Sequence, residues 1–232
     1  MLYNVSDIVE EIRVALDQNM SSTPLADLGD IDTLSLDELI ESKIANAARI
    51  VEERAPRELL DAGDNIPNTT NIGWPDANLG GGASIRIPSG IFRGHVSLPV
   101  DFLRLLTFKM SDWYRPVTEA ITEADPLYMR QFSEFPGIRG NPQKPVVAIV
   151  TGMSGLELEF FSSAVTSTVS IARYVKIPAI TTQDDEKVIN ICEKLKPAVV
   201  YYAAYLVALA TQHTEQQTGG LLTVAKELAR IS

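Results

Sequence analysis

The spacing of apolar residues predicts two helices near the N-terminus. In residues 5–18 apolar residues recur at the spacing of an amphipathic helix, with acidic residues on the other face. A second, longer stripe runs through residues 36–54. It follows Ser35-Leu-Asp-Glu38, whose spacing is that of a capping box. Residues 19–34 lack periodicity and are predicted to form a loop.

Turn residues and short alternating segments dominate the middle of the chain. Asn, Gly and Pro punctuate residues 61–94, and short β-branched or alternating runs continue to residue 175. Short runs bounded by turn residues are typical of strands. The strand candidates are 84–87, 95–98, 103–110, 146–150, 156–161 and 165–175, and residues 126–132 are a candidate short helix.

Helical patterns return after residue 181. Thr182 or Asp184 can cap a helix through residue 195, and Pro197 stands where a new helix can begin. Residues 197–211 are apolar on every side, which predicts a helix enclosed by its own chain or by a neighbouring subunit. Gly219-Gly220 is expected to break the chain before one last amphipathic helix.

This order of elements predicts an α+β protein. We expect the N- and C-terminal helices to pack as a helical bundle with a central antiparallel β-rich insertion. The predicted domains are N-terminal helices over 1–60, a β-rich domain over 61–180, and C-terminal helices over 181–232 that complete the helical body. The longest apolar run has 13 residues, fewer than the roughly 20 of a membrane-spanning helix. No membrane association or secretory signal is expected.

The charge is distributed unevenly along the chain. Its 232 residues include 20 Lys and Arg and 30 Asp and Glu, for a formal charge of −10. Residues 1–66 hold 15 of the acids and 5 of the bases, which accounts for the whole excess. This balance argues against gripping nucleic acid through a broad basic face. The acidic helices could instead line a channel that repels phosphates or, as we favour, form an outward solvated surface.

The Cys and His residues do not predict a metal or a catalytic centre. Cys192 is a single cysteine, expected as a small core residue on a helix. His95 and His213 are too few and too isolated for a zinc site or a proton relay. No metal or other cofactor is therefore expected, and no disulfide within the chain.

Three other motifs are weak signals for catalysis. Gly80-Gly81-Gly82 lacks the Gly-Lys-Ser/Thr of a phosphate-binding loop, and Ser154 lacks the Gly-x-Ser-x-Gly spacing. Glu157 and Glu159 lie two residues apart on a predicted strand, which places both on one face, expected to be solvated. The protein is therefore expected not to be an enzyme.

Trp113, Tyr114 and Arg115 are the candidates for a partner-binding surface in the middle of the chain. Aromatic residues and Arg dominate the hot spots of interfaces, which favours this interpretation. A hairpin corner packed on its own core would explain the same residues equally well.

Part of this region resembles a known family. Residues 94–105 read Gly-His-Val-Ser-Leu-Pro-Val-Asp-Phe-Leu-Arg-Leu, and residues 110–117 read Met-Ser-Asp-Trp-Tyr-Arg-Pro-Val. The chain thereby resembles the head-to-tail connector (adaptor, or ring) proteins of tailed bacteriophages, closest to the ring proteins of short-tailed crAss-like phages. The helical stretches 36–54 and 196–205 are also similar, so the likeness spans about residues 35–231, with 94–117 its most specific part.

The resemblance implies a structural protein of the virion, assembled in the host cytoplasm. Such a protein forms a ring of identical subunits, expected to match the twelve-fold symmetry of the portal, and extends the DNA channel toward the tail. The expected partners are further copies, the portal protein, and further tail or ring proteins, while DNA passes without specific binding. Leu221, Leu228 and Ile231, after the glycine pair, are expected to dock the last helix on the portal or an adjacent subunit.

Three other functions stay open. The chain could be a different virion protein, such as a tail-tube completion or capsid-associated protein. A polysaccharide hydrolase could use Glu157, Glu159 or Asp101, although paired carboxylates normally face each other across a cleft. A monomeric module could bind a ligand through Trp113 and Tyr114.

Overall fold

The computed structural model describes residues 1–16, 35–67, 69–74, 92–133, 135, 137–152, 155–211 and 215–231. The chain divides into two compact units. The terminal unit comprises Met1–Asp61 and Ile177–Ser232, and the middle unit comprises Ala62–Lys176. Several predicted features lie outside the described residues: the loop 19–34, the strand 84–87, the glycine triplet 80–82, Ser154 and His213.

The elements follow one another from the terminal unit into the middle unit and back. The terminal unit begins with β1 (Leu2–Asn4), α1 (Val5–Ala15) and α2 (Leu36–Arg54). The middle unit contains β2 (Asp64–Asn65), β3 (Phe92–Ser97), β4 (Phe102–Met110), β5 (Ile121–Thr122), α3 (Pro126–Arg130), β6 (Val147–Gly152), β7 (Gly155–Ser163) and β8 (Val169–Lys176). The terminal unit resumes with β9 (Ile180–Gln183), β10 (Glu186–Asn190), α4 (Lys196–Ala210) and α5 (Glu215–Ala229).

The expected fold class, a terminal helical bundle with an antiparallel β insertion, is wrong. The protein is mixed α/β, with about 37% helix and 32% strand, and its described residues form three sheets and five α-helices. The terminal helices do not stand alone as a bundle, because the sheet β1-β10-β9 belongs to the same unit. The middle unit is not wholly antiparallel either, since β5 pairs in parallel with β6.

The two N-terminal helices form where the apolar stripes predict them. α1 is capped by Asn4, whose side chain accepts the backbone N–H of Ser6. α2 begins with the predicted capping box: the Ser35 hydroxyl accepts the Glu38 N–H at 3.3 Å, and the Glu38 carboxylate accepts the Ser35 N–H at 2.8 Å. Local chemistry therefore fixes both starting points.

The helix expected from Thr182 or Asp184 is wrong, because β9 and β10 form an antiparallel hairpin there. Gln183 pairs with Glu186 across the turn. The two turn residues, Asp184 and Asp185, have positive φ angles of 52° and 65°. Positive φ at both central residues is the backbone of a type I′ turn, which suits the twist of a hairpin. The Asp pair therefore makes a turn instead of a helix cap.

α4 is the centre of the terminal unit, and it packs against α1, α2 and α5. It begins with Pro at the second residue, as predicted. Its buried residues lie on several faces of the helix: Ala198, Val199, Val200, Ala203, Ala204, Val207 and Ala208. A helix that is apolar on all sides is thus largely enclosed by its own chain.

The chain break expected at Gly219-Gly220 is wrong, since both glycines lie within α5. The helix continues because it packs along α4, and packing offsets the cost of two glycines. α5 ends in a Schellman motif: the N–H of Arg230 donates to the Glu227 carbonyl at 3.1 Å, and that of Ile231 to the Lys226 carbonyl at 2.9 Å. Arg230 takes the left-handed position, with φ of 53°.

Replacing Gly219 and Gly220 together by Ala should stabilise the protein. A Cβ at either position would meet no other atom within 4 Å, and neither glycine has a positive φ. Glycine in a helix interior is less favourable than alanine by about 0.8–1.0 kcal/mol. The double variant should therefore raise the free energy of unfolding by about 1.6–2.0 kcal/mol in a urea titration followed by circular dichroism. A lower stability would contradict the continuous helix.

Two sheets build the middle unit around a shared aromatic core. Their strand orders are β2-β8-β4 and β3-β7-β6-β5. Phe160 of β7 contacts the rings of Phe108 on β4, Trp74 and Trp113, with centroids 5.4, 5.5 and 6.2 Å away. The opposite face of the second sheet carries a smaller cluster, beneath α3.

The strands on which the chain enters and leaves the middle unit are neighbours. β2, the entry strand, pairs in antiparallel fashion with β8, the exit strand, with Asp64 opposite Tyr174. An ion pair between Lys176 Nζ and Asp64 Oδ2, at 3.3 Å, lies at the same end. The middle unit therefore closes on itself at the point where the chain crosses between units.

Candidate interaction surfaces

Among the described residues, no group of three or more His, Cys, Asp and Glu side chains is placed to hold a metal ion. No helix in this part of the chain has both the length and the apolar character to cross a membrane.

Cys192 is buried, as predicted, but it lies between β10 and α4 instead of on a helix face. Its backbone N–H donates to Glu52 Oε1 at 2.8 Å, and the Asp61 N–H donates to its Sγ at 3.5 Å. Burial, with the nearby Glu52 charge, raises the pKa of the Cys192 thiol to about 12. The thiol is therefore protonated near neutral pH and is a poor nucleophile.

Glu52 → Gln should stabilise the protein at pH 7 but not at pH 4. Glu52 is 2% exposed, and burial raises the pKa of its carboxyl. A carboxyl group whose pKa is higher in the folded than in the unfolded protein stabilises the fold at pH values below its pKa in the unfolded chain. This contribution is lost as the pH rises through its pKa in the folded protein. Glutamine carries no charge and keeps an oxygen for the Cys192 N–H. Urea titrations should show a gain of about 1 kcal/mol at pH 7 that shrinks toward zero at pH 4; an equal gain at both pH values would contradict this origin.

The expectation that Glu157 and Glu159 share a solvated face is wrong for Glu159. The Glu159 side chain is 12% exposed and lies 3.4 Å from Arg93 Nη1. It accepts a hydrogen bond from the Tyr128 hydroxyl at 2.8 Å, and burial together with this bond raises the pKa of Tyr128 to about 12. The Arg93 guanidinium lies over the Phe132 ring, 5.4 Å from its centroid. The Glu159 carboxylate therefore helps to hold α3 on the sheet.

A second set of contacts beneath α3 is aromatic. We call the described residues of 126–140 the α3 arm. Its helix is capped by Asp125, whose carboxylate accepts the Leu127 N–H at 2.8 Å. Tyr128 and Phe132 meet Phe161 of β7 edge to face, with centroids 6.2 and 5.8 Å away. The underside of the arm is thus seated on the sheet.

Buried polar groups fix the far end of the α3 arm. Gln131, 6% exposed, donates to the Leu127 carbonyl at 3.0 Å and accepts the Gly140 N–H at 2.7 Å. The Ser162 hydroxyl donates to the Gly140 carbonyl. Hydrogen bonds at both ends and aromatic contacts between them tie the described residues of the arm to the sheet.

The α3 arm exposes four large apolar side chains. Leu127, Met129, Phe135 and Ile138 are 45%, 70%, 66% and 54% exposed. Single exposed apolar side chains are normal on protein surfaces, but several within one short segment mark an interaction site. The sequence analysis did not identify this surface. Its only signal in the sequence is the set of apolar residues within and after the short helix.

The candidates at the hairpin corner point in opposite directions. Trp113 is 3% exposed and packs edge to face against Phe108, with centroids 5.7 Å apart. Tyr114 is 77% exposed, and its N–H donates to the Pro142 carbonyl at 3.0 Å. Arg115 is also exposed. Tyr114 therefore lies beside the loop that follows the α3 arm, while Trp113 belongs to the core.

The candidates on the last helix do not form one exposed stripe. Leu221 and Ile231 are half-buried and pack against the core of the terminal unit. Leu228 is 42% exposed. Two of the three side chains are thus already engaged within the unit.

The acidic excess belongs to the terminal unit. This unit has 20 acidic and 10 basic residues, and the middle unit has 10 of each. Several acidic residues of the N-terminal helices form ion pairs: Asp37 with Arg13, Glu41 with Lys187, and Glu11 with Lys196. Many of the other described carboxylates there are exposed, so the charge lies at the surface.

Neither a protein-family model nor a curated protein matches the chain.

Proposed function

We propose that the protein is a non-enzymatic subunit of a connector ring, placed between the portal and the tail of a tailed bacteriophage, where the ring extends the DNA channel. The observation that carries the proposal is the α3 arm, which presents four large apolar side chains from a fixed base. Apolar area of this kind is buried favourably when proteins assemble.

The fixed base matters because ordering a flexible segment would reduce the affinity of any contact that it makes. Each rotamer-rich side chain immobilised on binding costs about 0.5–1.5 kcal/mol, and a loose backbone adds to that cost. Tyr128, Phe132 and Gln131 are already engaged beneath the arm. Met and Phe, which the arm exposes, are also enriched at interfaces. A partner would therefore meet a surface that needs little rearrangement.

The distribution of charge is compatible with a DNA channel. The middle unit is neutral, so copies of it can approach one another without net repulsion. The terminal unit carries the net charge of −10, and such a surface does not neutralise phosphates. DNA would pass this protein without being gripped.

The resemblance to connector proteins supports the assignment to a virion. It rests chiefly on residues 94–117, which form the end of β3, a turn, β4 and the corner at Trp113. The turn is closed by the Phe102 N–H, which donates to the Pro99 carbonyl at 3.1 Å. Phe102 stacks on Tyr174, with centroids 5.8 Å apart. These residues support the middle unit, whereas we assign the partner contact to the α3 arm.

The proposal is tested by the assembly state of the purified protein, with and without the portal protein of the same phage. Native mass spectrometry and electron microscopy should show closed rings of one copy number, alone or once the portal is added. Protein that stays monomeric in both conditions would contradict a connector ring.

A variant carrying Met129→Glu and Phe135→Glu should fold normally and lose assembly. Both side chains are exposed, so the free energy of unfolding should change by less than about 0.5 kcal/mol per substitution. The concentration needed for ring formation or portal binding should rise at least about tenfold, since two charges would enter an apolar contact. Val100→Glu, at a fully exposed turn position outside the arm, is the matched control and should assemble as the wild type does.

A further inference from the structure

A cavity of about 220 Å³ lies in the terminal unit, between the end of α2, α4 and α5. Pockets for drug-sized molecules usually measure about 300–1,000 Å³, so this one suits a single side chain of a protein partner. The lining residues are Ile50, Arg54, Tyr202, Tyr205, Leu222, Ala225, Lys226 and Ile231.

The cavity combines an apolar base with cations and hydroxyl groups that have no partner among the described residues. Arg54 and Lys226 form no ion pair with any described residue. The hydroxyls of Tyr202 and Tyr205 form no hydrogen bond with any described residue. The unit around them nevertheless has twice as many acidic as basic residues. The complementary ligand is an apolar side chain flanked by carboxylates, because carboxylates accept hydrogen bonds from all four groups.

The outer face of α1 has this composition. Val14 is 77% exposed, and Asp7 and Glu10, also exposed, share its face at helical spacing. Ile8 and Ile12 lie on the opposite, fully buried side of the helix. The face therefore presents two acidic side chains followed, at the C-terminal end of the helix, by one apolar side chain, all directed away from the core of their own unit.

We propose that the α1 face of one copy docks into the cavity of the next copy, with Val14 in the cavity and Asp7 and Glu10 paired with Arg54 and Lys226. A chain cannot fill its own cavity in this way, because α1 presents Val14 away from the core that it shares with α4 and α5. A contact between two different surfaces repeats from copy to copy and generates a ring when the rotation closes. The inference rests on the proposed ring and names a second contact within it.

Charge reversal on the two sides tests the pairing. Arg54→Glu with Lys226→Glu makes the cavity acidic, and Asp7→Lys with Glu10→Lys makes the α1 face basic. Each double variant alone should weaken assembly at least about tenfold, because like charges would then meet across the contact. An equimolar mixture should assemble again, since every α1 face then finds a cavity of opposite charge. Failure of the mixture to assemble, or normal assembly of each variant alone, would overturn the pairing.

The matched control reverses two other basic residues on α2, Lys43→Glu with Arg49→Glu, which changes the net charge equally away from the cavity. This variant should assemble as the wild type does, and circular dichroism should show that all the variants fold. Loss of assembly in the control as well would mean that net charge, not the cavity, governs association, and would overturn the inference.

Cysteine cross-linking separates this contact from the ring itself. A chain with Val14→Cys and Leu222→Cys should give a ladder of dimers and larger multimers on mild oxidation, and either single variant should not. Cys192 is buried and its pKa is raised, so it should not interfere. Rings without a ladder would overturn only this inference, and a ladder without rings would support the contact and contradict the ring. Neither a ladder nor rings would contradict both.

Discussion

Phe160→Ala should reduce the free energy of unfolding by about 3–5 kcal/mol, the range for a fully buried phenylalanine. Phe160 is 0% exposed and meets the rings of Trp74, Phe108 and Trp113. Its removal takes away one ring from each of these contacts and leaves a cavity between the two sheets of the middle unit. Urea titrations followed by tryptophan fluorescence measure the loss, because two of the neighbours are tryptophans.

The matched control for this substitution is Phe135→Ala. It removes the same side chain from a position that is 66% exposed, so the free energy of unfolding should change by less than about 0.5 kcal/mol. The same variant should weaken assembly if the α3 arm is an interface. Equal losses of stability at both positions would contradict the placement of Phe160 at the centre of the core.

Gly63→Ala should cost about 2–4 kcal/mol of stability, through two additive effects. Gly63 has φ of 68°, in the region that residues with a Cβ rarely adopt. A Cβ there would also overlap Leu106 Cδ1 and lie 2.5 Å from the Tyr174 carbonyl oxygen. The carbonyl belongs to a paired strand and cannot move aside cheaply, so the substitution should lower the urea midpoint.

Gly137→Ala provides the comparison for Gly63. A Cβ at Gly137 would meet no atom within 4 Å, and its φ is not positive. Its stability should therefore equal or slightly exceed that of the wild type, since alanine restricts the unfolded chain. A large loss at Gly137, or none at Gly63, would contradict the backbone described at these positions.

The sequence pattern correctly predicted a helix end where hydrogen bonds between near neighbours along the chain determine it. The capping box at Ser35 and Glu38 places the start of α2 because both partners lie within one turn. The same kind of argument failed at Asp184, since Asp serves equally as a helix cap and as a residue of positive φ in a hairpin turn. The pairing of β10 with β1, almost the length of the chain away, favours the hairpin.

The sequence pattern did not predict the features that depend on packing between distant parts of the chain. Gly219 and Gly220 were expected to interrupt a helix, but α4 supplies packing along that helix. The period of β7 correctly places Glu159 and Glu157 on one side of a strand, yet it cannot show that α3 covers one of them. Arg93, which lies over the Phe132 ring of the α3 arm, also pairs with Glu159, 66 residues further along the chain. No window of neighbouring residues contains that information.

The pairing of the entry and exit strands has an evolutionary consequence. Neighbouring strands run about 4.8 Å apart, so the whole middle unit begins and ends within one strand spacing. Recombination could exchange, enlarge or remove this module while leaving only a short gap to be closed in the polypeptide. Such an exchange would replace the surface that the middle unit offers and leave the sequence of the terminal unit as it is.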